Sequence, residues 1–180
     1  MASEPTTTEP VVANESISLH DQIHALIASI RRESDAQAAA WRSCIDRADF
    51  EESAGNLAHY MAFRRRDLRA LQRSLMRLGL SSLGRLESRV LPTLVAVKAA
   101  LAALARLPPE EAPSSDAFFA GERLLERRTH ELLGAPTSSR HRALLVTCPA
   151  EAADDPSFML TLAGRGIEAV RINCAHDSPD

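Results

Sequence analysis

The spacing of the apolar residues changes once along this chain, and that change limits the folds open to it. Up to about residue 135, apolar side chains recur every three or four positions, the period of one helix face. Beyond residue 140 they form two short runs, 143–148 (ALLVTC) and 167–173 (IEAVRIN), with the segment 156–165 between them. Short runs rich in Val, Ile and Leu read as buried strands, and the intervening segment reads as a helix stopped by Gly164 and Gly166. Strand, helix, strand within about 30 residues is a βαβ unit, which implies parallel strands and a right-handed crossover. The fold class expected is mainly α: a helical, bundle-like part over 16–135, followed by one βαβ unit over 140–180.

The helical part divides further. Residues 1–15 are polar, carry Pro, Thr and Glu, and are expected to be disordered. Leu19, Ile23, Leu26, Ile27 and Ile30 stand at helical spacing, with Ser18 placed as a cap and Asp21 in the first turn. This helix is expected to fade over 32–34, and a short second one to cover 36–45. The clearest helix is 56–78, where Leu57, Met61, Leu68, Leu71, Leu75 and Leu78 alternate by four and three, with Arg64 filling the one gap, and Gly79 follows as a C-terminal cap. Ser81 or Ser82 is expected to open a helix to about residue 106, in which Pro92 makes a kink or a new first turn. Residues 107–115 (LPPEEAPSS) read as a linker, and a last helix over 116–133 stops at Gly134.

Composition excludes several classes. Aromatic residues are 4% and glycines number 7, so a core of Leu, Ala, Val and Ile built into helices is favoured. A net charge of −3 gives no overall drive toward nucleic acid or an anionic membrane. No apolar run reaches the roughly 18 residues of a membrane span. The first residues have no basic stretch of the kind that opens a secretory signal. Three widely spaced cysteines, Cys44, Cys148 and Cys174, form no CxxC pair, and the compartment expected is the reducing cytoplasm.

The residues that end the two strands carry the most information. The first strand runs into Thr147-Cys148-Pro149, and the second reads Ala169-Val170-Arg171-Ile172-Asn173-Cys174-Ala175-His176. In this order and spacing, 143–177 resembles the first βαβ of the pyruvate kinase barrel. There a strand ending in a Thr-Ile-Gly-Pro-like turn is followed by a helix and a strand ending in Arg-Leu-Asn-Phe-Ser-His. The segment 56–91 is also similar to the long helical N-terminal extension of some bacterial pyruvate kinase-like proteins. The barrel resemblance covers about 40 residues, and it implies the start of a (β/α)8 barrel, whose active site lies at the C-terminal ends of the strands.

The activity so implied is phosphoryl transfer from phosphoenolpyruvate to ADP, giving pyruvate and ATP, with Mg²⁺ and a monovalent cation such as K⁺. Arg171 would bind the substrate phosphate, since its planar fork of donors suits a phosphoryl group. Asn173 would touch the monovalent cation and the nucleotide, and Pro149 and His176 would border the nucleotide. Three departures qualify this. Ala175 stands where the family has a serine cation ligand. The turn at Thr147-Cys148-Pro149 is one residue short. The lysine that stabilises the transferring phosphoryl, and the acidic pair that holds Mg²⁺, come from later strands of the family and have no counterpart here. The chain is therefore expected to be a truncated or split enzyme, inactive alone, with a homo-oligomer or a complementing polypeptide as partner.

Other features have plainer readings. Arg66, Arg69, Arg73 and Arg77 form a stripe that would be a solvated helix face or a site for an anionic partner. His20 and His24 have metal-binding spacing but no evident third ligand, and His59, His130 and His141 are scattered. Cys148 and Cys174, at the ends of adjacent strands, read as small core residues. The segment 75–91 suggests a helix, a glycine turn and a second helix with Arg85 and Arg89, the layout of a helix-turn-helix. That supports the alternative of a DNA-binding or protein-interaction helical module with an incidental βαβ tail, although Leu83, Leu86, Val90 and Leu94 read as core.

Overall fold

The computed structural model describes residues 9–134, 144–173 and 175. Seven α-helices and one two-stranded parallel sheet form among them, so the mainly helical class holds. The chain divides into two compact units, Met1–Arg123 and Leu124–Asp180. Among the described residues no helix is long and apolar enough to cross a membrane.

In the first unit, α1 (Glu9–Trp41) is one helix of 33 residues, longer than expected at both ends. The reason lies in two serines. Ser16 and Ser34 are as buried as the leucines and isoleucines between them, so the inward stripe runs through both. Ser34 satisfies its hydroxyl by donating to the Arg31 carbonyl at 2.9 Å. Read by polarity alone, these serines look like boundaries. The helix instead starts within the stretch expected to be disordered, and it continues through 32–34 and into the region assigned to a second helix.

The segment 56–78 is not one helix. It divides into α2 (Glu51–Arg64) and α3 (Arg69–Arg77). α2 buries Ala58, Ala62 and Phe63, whereas Leu57 is exposed, so its inward face is set by two alanines and one aromatic ring. Asp67 opens α3 by accepting the Arg69 amide at 3.2 Å. α3 then follows the expected stripe, with Leu71 and Leu75 buried. Gly79, at φ 72°, ends it, and the Leu80 amide closes back on the Leu75 carbonyl at 3.0 Å.

No helix starts at Ser81 or Ser82. Residues 79–89 are irregular, and Leu83 adopts φ 55° to place its side chain in the core beside Leu86. The expected helix-turn-helix is therefore not formed, because the next helix, α4 (Val90–Leu104), begins only at Val90. Pro92 falls in its first turn, where no backbone donor is lost. Val90, Leu94, Val97 and Leu101 complete the core against α1, which packs on both α2 and α4. Residues 107–114 carry no regular structure, as the composition predicts. The last expected helix is interrupted at Phe119 and forms α5 (Ser115–Phe118) and α6 (Ala120–Leu133), ending at Gly134 with φ 80°.

In the second unit, β1 (Leu145–Thr147) and β2 (Ala169–Arg171) pair in parallel around α7 (Pro156–Gly164). Both strands are shorter than expected. Asp155 caps α7, accepting from the Ser157 amide at 3.0 Å, and Pro156 occupies its first turn. Gly166, at φ 76°, ends it, with the Ile167 amide donating to the Leu162 carbonyl at 3.1 Å. No described residue of β1, α7 or β2 is buried, and Leu160 is 75%, Ile172 64% and Leu145 59% exposed. The apolar faces expected to be covered are thus open, as two strands and one helix leave them on geometric grounds.

Candidate functional site

The register places Leu145 beside Ala169, Val146 beside Val170 and Thr147 beside Arg171. Because the strands are parallel, their C-terminal ends lie at one edge, about 4.8 Å apart. Register partners point to the same sheet face, so the Thr147 hydroxyl and the Arg171 side chain stand side by side, both exposed. The Cys148 amide donates to the Arg171 carbonyl at 2.9 Å, which extends the ladder one residue beyond Thr147 and fixes where the turn leaves. Pro149 then begins a 3-10 turn over Ala150–Ala153, its carbonyl accepting from the Ala152 amide at 3.0 Å.

Past β2 the chain folds on itself. The Asn173 side-chain oxygen accepts from the Ala175 amide at 3.4 Å, an Asx turn that holds Asn173 half-buried beside the edge. Among the expected site residues, the structure therefore brings together Pro149, Arg171 and Asn173. His176 and Cys174 lie outside the described residues, so the expected neighbouring of Cys148 and Cys174 is not addressed. Among the described residues, no carboxylate pairs with the Arg171 guanidinium.

Two carboxylates of this unit, Asp155 and Glu168, serve the fold. Asp155 is spent on the α7 cap, and hydrogen bonds from the Ser157 hydroxyl and amide hold its carboxyl below the usual range. Glu168 accepts the Leu144 amide at 2.7 Å, at the opposite end of the strands. Neither was singled out from the sequence, although Asp-Pro before an apolar run is a legible helix start. Among the described residues, no group of three or more His, Cys, Asp or Glu side chains could hold a metal ion. At this edge the oxygens on offer are those of Thr147 and Asn173, with Ala175 contributing no side-chain oxygen, and this does not fit a Mg²⁺ site.

The arginine stripe of the first unit is largely engaged internally. Arg66 bonds Glu33 and Ser29, Arg69 bonds Asp67 at 2.6 Å, and Arg77 bonds Glu15. The bond from Arg69 pushes the Asp67 carboxyl down to about 2. His20 and His24 do not act as a pair. His20 bonds Glu110 through Nε2 at 2.9 Å, a contact across 90 positions that nothing in the sequence announces.

No protein-family model, curated protein or solved structure matches this chain.

Proposed function

We propose that the βαβ unit is the opening of a pyruvate kinase-like barrel, in a phosphotransferase that moves the phosphoryl group of phosphoenolpyruvate to ADP. The observation that carries this is the parallel register of Thr147 with Arg171. An antiparallel pairing would put the Thr147-Cys148-Pro149 turn and the Arg-x-Asn segment at opposite ends of the sheet, whereas parallel pairing gathers both at the edge where a barrel keeps its site. On this reading Arg171 binds the phosphoryl group through two N–H donors, and Asn173, Pro149 and His176 line the nucleotide side. Mg²⁺ and K⁺, implied by the resemblance, would take their ligands mainly from residues outside this segment, as would the lysine needed for transfer. The open apolar faces of β1, β2 and α7 are what a barrel's first unit presents to the strands and helices beside it.

A second reading, a helical partner-binding module, is favoured by one observation: among the described residues, every buried apolar residue except Leu124 lies in the first unit. Titration calorimetry with phosphoenolpyruvate separates the two. The proposal expects measurable binding that falls at least tenfold in Arg171→Gln and is partly kept in Arg171→Lys, because a point charge replaces the fork. Absence of binding, or equal binding by wild type and Arg171→Gln, would remove the strand edge as a phosphoryl site and leave the helical reading.

A further inference from the structure

Between α1, α4 and the 107–114 linker the first unit holds a cleft of about 380 Å³, within the size range of small-ligand sites. Ile27 and Val95 give it an apolar floor. Its linker wall is fixed by Glu110, which takes a hydrogen bond from His20 at 2.9 Å and an ion pair from Lys98 at 3.0 Å. That carboxylate is thereby engaged from two sides, with Lys98 supplying the counter-charge. Pro108 and Pro109 stiffen the linker just before it.

The charges left facing the cleft are unequal. Arg31, on α1, lines it with no carboxylate in salt-bridge contact among the described residues. His24 stands about two turns before it on the same helix. Lys98 retains donors beyond the one given to Glu110. Glu111 is the single opposing carboxylate not so engaged, and it belongs to the linker side.

We propose that this cleft binds a small organic anion: an apolar body seated on Ile27 and Val95, with a carboxylate or phosphate group held by Arg31. The inference is independent of the strand-edge reading, since it concerns other residues in the other unit. An apolar floor excludes water from one side, and a guanidinium beside it strengthens as a donor when the ligand covers it. The floor is the outer side of the core, to which Ile27 belongs and on which Val95 packs, whereas Arg31 is exposed and takes no part in that core.

The test is an NMR titration of the full chain with phenyl phosphate, with benzyl alcohol and inorganic phosphate as partial probes. Phenyl phosphate is expected to shift the amides of Ile27, Arg31, Val95 and Lys98 together, and to do so at lower concentration than either partial probe. Arg31→Gln, a surface change that leaves the fold intact, is expected to weaken phenyl phosphate at least tenfold while leaving benzyl alcohol unchanged. Absence of shifts at those amides would overturn the proposal, and so would equal affinity for wild type and Arg31→Gln.

Discussion

The side chain of Asn56, on α2, accepts the backbone amide of Val90 at 3.2 Å and donates to the carbonyl of Glu87 at 2.5 Å. α4 is thus capped by a residue from another helix, while the residue at its own cap position, Arg89, makes no side-chain cap bond. This contact lets the irregular 79–89 segment end in a helix at a defined place.

Replacing Asn56 with Ala is expected to destabilise the chain by about 1–2 kcal/mol, the size of a lost N-cap with a carbonyl also left unpaired. Asn56→Asp keeps the acceptor and is expected to cost less. Urea unfolding followed by circular dichroism measures both, with the slope unchanged if only native stability moves.

Two glycines in helices should respond with opposite signs. A Cβ on Gly121 would meet the Ser88 carbonyl oxygen at 2.1 Å, and neither backbone can yield cheaply. Gly121→Ala is expected to cost about 1–3 kcal/mol, although alanine is the better helix former. A Cβ on Gly55, in α2, meets nothing within 4 Å. Gly55→Ala is expected to stabilise by about 0.5–1 kcal/mol. The two melting temperatures, compared with wild type, check the pair.

Acid should weaken the first unit in two steps. Burial is the main cause that holds the His59 imidazole below its ordinary 6.5, against an opposing pull from Asp35. Between 6.5 and that lower value the unfolded chain takes up a proton that the native chain refuses, so stability falls as the pH drops from 6.5. Hydrogen bonds from His20 and then Lys98 hold the Glu110 carboxyl below 4.5. Its contribution is complete above 4.5 and is lost as the pH falls through the lower native value. In denaturation midpoints against pH, His59→Gln is expected to flatten the first step and Glu110→Gln the second.

The open face of the second unit predicts dye binding and self-association. Leu160→Glu and Ile172→Thr are expected to reduce both, with effects on the stability of the first unit within about 0.5 kcal/mol. Fluorescence of an apolar dye and sedimentation velocity report the outcome.

How much of this was legible in the sequence differs by feature. The leucine stripes of α3 and α4, the linker, the glycine stops and the strand–helix–strand order follow from spacing and local chemistry, and they stand in the structure. Boundaries set by tertiary contacts did not. Ser18 reads as a cap although α1 begins nine residues earlier, 32–34 reads as an end although Ser34 packs inward, and Leu57 reads as core although it is exposed. The break at 65–68 and the delayed start of α4 depend on Asp67 and on Asn56, which act through hydrogen bonds that no apolar pattern encodes. At the strand edge, the spacing of Arg171 and Asn173 was visible. What the sequence could not supply was the register that sets Thr147 beside Arg171, since that is a property of two strands together.

The central claim is that the ends of β1 and β2 form one phosphoryl-binding edge. Amide chemical shifts of the chain during a phosphoenolpyruvate titration test it most directly. The account expects Thr147, Cys148, Arg171 and Asn173 to move together on a single binding curve that is lost in Arg171→Gln. Shifts confined to other residues, or a response at this edge that survives the loss of Arg171, would contradict it.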